Sequence, residues 1–208
     1  MSETLVSQEY NRIANFYDQR WNSYISKTLS FLKNWVNIPS TAIVLDVACG
    51  TGEFERLLLQ KNSTQQVTGI DISEKMLSIA QEKCLSYPNV SFKIGSASAL
   101  PCATNTFDII VSASAFHYFE DPDTALAEMK RVLKPDGQLV ILDWCRDYFL
   151  CKLLDLFLRV FDSAHKQCYS QAELHQILTN AGFNICRATK TRFGFFWGLM
   201  IATVTPEI

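Results

Sequence analysis

Ala42-Ile-Val-Leu-Asp-Val47, followed at once by Ala48-Cys-Gly-Thr-Gly52, is the stretch that decides the fold. A nearly continuous apolar run suits a fully buried central strand. Two glycines directly after it mark a tight turn, and a helix from about 53 to 60 follows. The pattern then repeats, with strand 66–71, helix 74–85, strand 90–94, strand 107–112, helix 124–133 and strand 138–144. Strands alternating with helices build parallel βαβ units, with helices on both faces of one sheet.

Upstream, Ile13, Phe16, Tyr17, Tyr24, Ile25, Leu29, Leu32 and Trp35 recur at spacings of three and four, which predicts two helices before Pro39-Ser40. Downstream of 145 the alternation breaks. The stretch 149–161 is apolar nearly all round and predicts a covered helix. Ser170-Gln-Ala-Glu173 is a capping box, opening a helix that stops at Ala181-Gly182. Strands near 183–191 and 195–205, joined by a few residues around Phe193-Gly194, predict an antiparallel hairpin. The expected fold is α/β and doubly wound: seven strands, mostly parallel, with a C-terminal antiparallel hairpin and helices on both faces. No repeat or linker divides 1–208, so a single domain is expected.

The 208 residues are 48% hydrophobic and 19% charged, enough for one core without disulfides or a structural metal. A formal net charge of -2 excludes the basic footprint of a dedicated nucleic-acid binder and favours a small partner. Seven cysteines, at 49, 84, 102, 145, 151, 168 and 186, include no CxxC pair. That predicts a reducing cytoplasm and no metal site of zinc-knuckle or iron–sulfur type. Met1-Ser2-Glu3-Thr4-Leu5 does not read as a secretory signal. The longest apolar run, Phe193 to Val204, is shorter than the roughly 20 residues of a membrane span and reads as a buried strand.

Ligands of open α/β sheets bind at the carboxyl ends of the strands, over the turn after the first one. Here that turn runs from Asp46 to Gly52, and Asp71 ends the second strand 19 residues after Gly52. A carboxylate at that distance can accept both hydroxyls of a ribose, so the spacing implies an adenosine-type ligand. Two glycines in an ordinary tight turn are the bland alternative. Glu53 and Glu55 occupy the helix start where a pyrophosphate would sit, and no GxxxxGK[ST] pattern occurs. The acidic surround of Asp46 and Glu53 favours a phosphate-free nucleoside carrying a sulfonium and an ammonium.

With these residues in view the chain resembles a small, single-domain class I S-adenosylmethionine-dependent methyltransferase, similar to those acting on quinones and other small molecules. The resemblance rests on Val44 to Gly52, on Gly69-Ile-Asp-Ile-Ser73 with Met76-Leu77, on Gly95-Ser-Ala97 with Leu100-Pro101, on Phe107 to Ser112 with Phe116-His-Tyr118, and on Arg131 to Gly137. It implies a Rossmann-like fold with a cofactor core over 41–145, an N-terminal helical lid over 1–40, and an insertion helix, a further helix and the hairpin over 146–208. It implies S-adenosyl-L-methionine as cofactor. Asp46, Ala48, Cys49, Gly50 and Gly52 would hold the methionine part, Asp71 the ribose, Ile72 and Met76 the faces of adenine, and Ser96 and Ala97 its amino edge. Ser112 would be a further contact, and Tyr17 would close over the cofactor from the lid unless it is a core aromatic. The family commonly has Asp where Ser96 stands and a second His where Tyr118 stands.

Methyl transfer to an oxygen or carbon nucleophile calls for a base at the carboxyl edge of the sheet. His117 is the first candidate. Asp143 is the second, unless it caps the next helix. Tyr118, beside His117, and Asp147, His165 and Tyr169, in the loops beyond, are further candidates. The aromatic segments 145–169 and 193–200 suit an apolar acceptor, although ordinary packing explains them equally. Two alternatives stay open: arsenite methylation using Cys145, Cys151 and Cys168, and a cofactor-binding protein that acts by association without transfer. No membrane span and no nucleic acid are expected, and the sequence leaves the oligomeric state open.

Overall fold

The deciding stretch forms β1, Ile43–Val47, an interior strand next to the central one of a seven-stranded sheet. The computed structural model describes residues 2–161, 166–193 and 197–207. Along the chain come α1 (Ser2–Trp35), β1, α2 (Glu53–Lys61), β2 (Gln66–Asp71), α3 (Glu74–Lys83), β3 (Val90–Ile94) and β4 (Phe107–Ala113). A 3-10 turn at Phe116–Tyr118 precedes α4 (Pro122–Val132), β5 (Leu133–Trp144), α5 (Phe149–Phe161), α6 (Gln171–Asn180), β6 (Phe183–Phe193) and β7 (Trp197–Pro206).

The strand order is β3-β2-β1-β4-β5-β7-β6. The first five strands in that order are parallel, while β7 runs antiparallel to both β5 and β6, as the hairpin reading requires. Alternation along β1 and β4 divides the core between the two faces. Leu45, Val47 and Ile110 pack with Leu126 and Met129 of α4 and Leu174 and Leu178 of α6. Val44, Ile109 and Val111 pack with Leu29 and Leu32 of α1 and Phe54 and Leu59 of α2.

The N-terminal region departs from the expectation of two helices, since α1 is one continuous helix of 34 residues. Its polar middle, where periodicity alone sees a break, is held by bonds to the core: Thr51 and Lys83 both donate to Asp18, at 2.6 and 2.5 Å. The fourth helix starts at Pro122, two residues early, because Asp121 caps it by accepting the Thr124 N–H at 3.0 Å. The tip of the hairpin, 194–196, lies outside the described residues. Beyond it, Leu199 and Met200 are core residues rather than pocket lining.

Candidate functional site

Strand order reverses between β1 and β4, and the cavities of interest open at their carboxyl ends. The two motif glycines do different jobs there. Gly50, at φ +55°, faces an open cleft, where an added Cβ would meet nothing within 4 Å. Gly52, at φ +72°, lets α3 approach, for a Cβ there would lie 2.7 Å from that of Ala80. Gly52 is thus a packing glycine and not a lining one. Two non-glycine residues beside the cleft, Ala48 (φ 62°) and Ser114 (φ 57°), also sit in the left-handed region, where backbone strain gathers at functional sites.

Asp71 closes β2 with its carboxylate held from behind. Gly50 N–H donates to Oδ2 and Ser73 N–H to Oδ1, each at 2.8 Å. Burial raises its pKa and these backbone donors oppose the rise. Ile72, Met76 and Ala97 line the same cleft, joined from α1 by Tyr10 and Tyr17. The α1 helix is thus the roof. Ser7 donates to the Ile72 carbonyl at 3.0 Å, and Asn11 accepts from Ser73 Oγ at 2.8 Å and from the Lys75 N–H at 3.1 Å. At the cleft edge Ser96 Oγ donates to Glu3 Oε1 at 2.5 Å. A carboxylate therefore does stand beside Ser96, contributed by the first turn of α1 from 93 residues away. Nothing local in the sequence signals it.

Behind the glycine turn lies a buried pair of acids. Asp46 and Glu55 are almost fully enclosed, and Asp46 Oδ1 and both Glu55 oxygens lack ordinary hydrogen-bond donors. Burial, and then each other's proximity, lifts Asp46 well above the carboxylate range, and burial pushes Glu55 up to about 8. A proton held between the two carboxyls supplies the missing donor. Asp46 and Cys49 line a smaller recess that shares Ala48, Gly50, Tyr17 and Ser114 with the main cleft.

A further cavity adjoins the cleft and shares Tyr10, Tyr17, Ser114 and Tyr118 with it. His117 and Trp144 form part of its wall. His117 is buried and stacks on Trp144, with ring centroids 4.4 Å apart and planes at 17°. Its Nδ1 lies 2.6 Å from Asp143 Oδ1, while Asp143 Oδ2 accepts the His117 N–H at 2.8 Å. The Trp144 N–H also donates to this carboxylate, at 2.7 Å. The two candidate catalytic residues therefore form one dyad. Asp143 caps the 3-10 turn that carries His117, and does not cap α5. Across the cavity Trp144 Nε1 donates to Tyr24 OH, which lies 2.7 Å from Ser114 Oγ.

Other candidates fall elsewhere. Ser112 is buried within the sheet and lines neither cavity, a position taken instead by Ser114 two residues on. Tyr169 packs in the core against Phe116, and Asp147 is paired with Lys190 at 2.6 Å. His165 lies outside the described residues. Cys145, Cys151 and Cys168 are buried, and burial raises all three thiols, Cys145 to about 11. High thiol pKa values oppose the thiolates that a metalloid would need. Tyr10, Tyr24, Ser114 and Trp144 are site residues that sequence reading missed, because their partners are far away in the chain.

Residues 45–141 match the methyltransferase domain family. A demethylmenaquinone methyltransferase of Bacillus licheniformis is 34% identical over 151 residues, covering 67% of this chain and 65% of the relative. A 2-phytyl-1,4-naphtoquinone methyltransferase of Thermosynechococcus vestitus is 35% identical over 147 residues, covering 68% and 65%. The chain thus spans just under two thirds of these relatives' own length. Among solved structures, a Thermotoga maritima SAM-dependent methyltransferase, described as a possible histamine N-methyltransferase, superposes with a TM-score of 0.76 at 20% identity, covering 96% of this chain and 99% of that one. That likeness is one of fold.

Proposed function

We propose, from the premise that residues 45–141 carry a methyltransferase domain of the class I, S-adenosylmethionine-dependent type, that this protein methylates a small apolar aromatic acceptor of the quinol class, in the cytoplasm. The observation that carries the reading is the buried His117–Asp143 dyad in the wall of a cavity that shares four residues with the nucleoside cleft.

The residues present fit the cofactor. Asp71, held by two backbone donors, keeps outward lone pairs for a ribose diol. Asp46, in the wall of the recess beside Gly50, offers a carboxyl group to an ammonium, and Glu3 with Ser96 offers an acceptor for an adenine amine. Bound there, S-adenosylmethionine would supply an electrophilic methyl group. The chain's own part is to position the acceptor, exclude water and take a proton. Because Asp143 accepts from Nδ1, His117 holds its ring proton on that side, which makes Nε2 the basic nitrogen. An acceptor hydroxyl at Nε2 would lose its proton there. Tyr10, Tyr17, Tyr118 and Trp144 provide the flat apolar surfaces that an aromatic ring stacks on. The quinone substrates named for the two relatives support the same acceptor class.

The test is transfer of labelled methyl to a panel of quinols, phenols, amines, thiols and arsenite. A quinol should be the best acceptor, and His117→Ala should lower kcat by about 10²–10⁴-fold with cofactor affinity little changed. Unchanged turnover in that variant would sink the role of the dyad. Cofactor binding without turnover across the panel would favour a protein acting by association.

A further inference from the structure

We propose that the outer face of α5 seats the protein on an anionic lipid surface, an inference that rests on the apolar acceptor proposed above. Four large side chains of this helix, Phe149, Leu153, Leu156 and Phe157, are between 49% and 72% exposed. Their spacing, i, i+4, i+7 and i+8, sets them on one stripe roughly 100° wide. The opposite face is anchored. The Gly198 N–H donates to the sulfur of buried Cys151 at 2.8 Å, and the Cys168 N–H donates to buried Asp155 at 2.7 Å.

Charge on the helix is distributed to match. Asp155, its one acid, is turned inward, with Arg146 4.0 Å away. Exposed Lys152 flanks the stripe. An apolar stripe flanked by a cation, with no carboxylate on its exposed side, is the pattern of a helix lying in the headgroup region of an anionic bilayer. Contact with a second copy through the same face would instead set Lys152 against its own counterpart.

The stripe also lies where such docking would be useful. Leu158, the residue after Phe157, lines the cavity of the His117–Asp143 dyad, as do Ile13 and Arg20 of α1. Phe16, between those two along α1, is 66% exposed. An apolar acceptor dissolved in lipid would pass from the bilayer into the cavity along these two helices without crossing water.

The experiment is co-sedimentation of the full chain with vesicles of phosphatidylglycerol and phosphatidylcholine in equal parts, against vesicles of phosphatidylcholine alone, with no quinone in either. The chain should pellet with the anionic vesicles, less so as salt is raised, and much less with the neutral ones. A Phe149→Glu, Leu156→Glu double variant should reduce the bound fraction by about tenfold or more, with circular dichroism and melting temperature near those of the unmodified chain. Lys152→Glu, at an exposed site, gives a second readout should the double variant fail to fold, and it should weaken binding to anionic vesicles only. Failure to pellet with either vesicle, equal binding by the variants, or a dimer in sedimentation equilibrium that the double variant abolishes would overturn the proposal. The vesicles contain no acceptor, so this outcome is independent of the acceptor panel.

Discussion

A buried carboxyl pair behind a ligand turn has consequences at the scale of single residues. Glu55 is enclosed by α2 and the glycine turn, facing Asp46, Cys49 and Asp71, with Lys83 the nearby cation. Its folded pKa of about 8 stands above its ordinary 4.5. The folded state therefore binds more protons than the unfolded one between those values, and stability contributed by this group falls as pH rises through the window. Glu55→Gln removes the titrating proton while its amide still donates to Asp46. Its melting temperature should match that of the parent near pH 5 and exceed it above pH 8, where even one pKa unit, ~1.4 kcal/mol, is roughly 3–6 °C for a chain this size. Equal melting temperatures across the range would show that the pair is not protonated in the folded state. Residues such as Glu55 also show what local reading reaches. Asp71, Gly50, His117 and Asp143 stand at fixed offsets from strand ends, so spacing exposes them. That Asp143 serves His117, and that Glu3 reaches Ser96, depends on chain segments that come together only in the fold.

At the scale of elements, α1 has two unequal halves. Its C-terminal half contributes Leu29 and Leu32 to the core, and Leu32→Ala should cost about 2–5 kcal/mol of global stability. Its N-terminal half is held over the cleft mainly by polar bonds, those of Ser7, Asn11 and Asp18. The Asp18–Lys83 pair is partly exposed and adds no more than about 1 kcal/mol. The roof is the part that can open alone. Asn11→Ala deletes the two hydrogen bonds that tie α1 to Ser73 and Lys75, worth ~1 kcal/mol each, so amide exchange in the first half of α1 should speed up by about 5- to 30-fold. Exchange in the second half and the melting temperature should change little. Uniform acceleration along α1 would show instead that the helix opens as one unit. This division also explains why periodicity predicts two helices. The apolar pattern is weak through 18–23, and tertiary bonds at Asp18, rather than propensity, carry the helix across. The βαβ core was legible because strands such as β1, buried on both faces, leave short apolar runs bounded by turn residues and alternating with helical patterns.

For the whole molecule, the consequence of this layout is that ligand binding should consolidate two regions distant in sequence. The cleft floor comes from β1 and β2, its roof from the first turns of α1, and the adjoining cavity from α1, the end of β5 and α5. A nucleoside in the cleft would contact floor and roof together, so its binding energy should appear both as global stabilisation and as protection of the roof. At a concentration one hundred times its dissociation constant, S-adenosylhomocysteine should add about 2.7 kcal/mol, which is a rise of roughly 5–10 °C in melting temperature for a chain of this length. Asp71→Asn keeps an acceptor for one of the two backbone donors but loses the charge, and a charge-assisted hydrogen bond is worth ~1.5–3 kcal/mol. Affinity should then fall by about 10- to 100-fold, and at the same ligand concentration the rise should shrink to a few degrees over the variant's own baseline. Amide exchange in the first half of α1 should slow on ligand addition in the parent chain, and less so in the variant. An equal thermal rise in both proteins would remove Asp71 from the site. A rise with NADH and none with S-adenosylhomocysteine would overturn the cofactor itself.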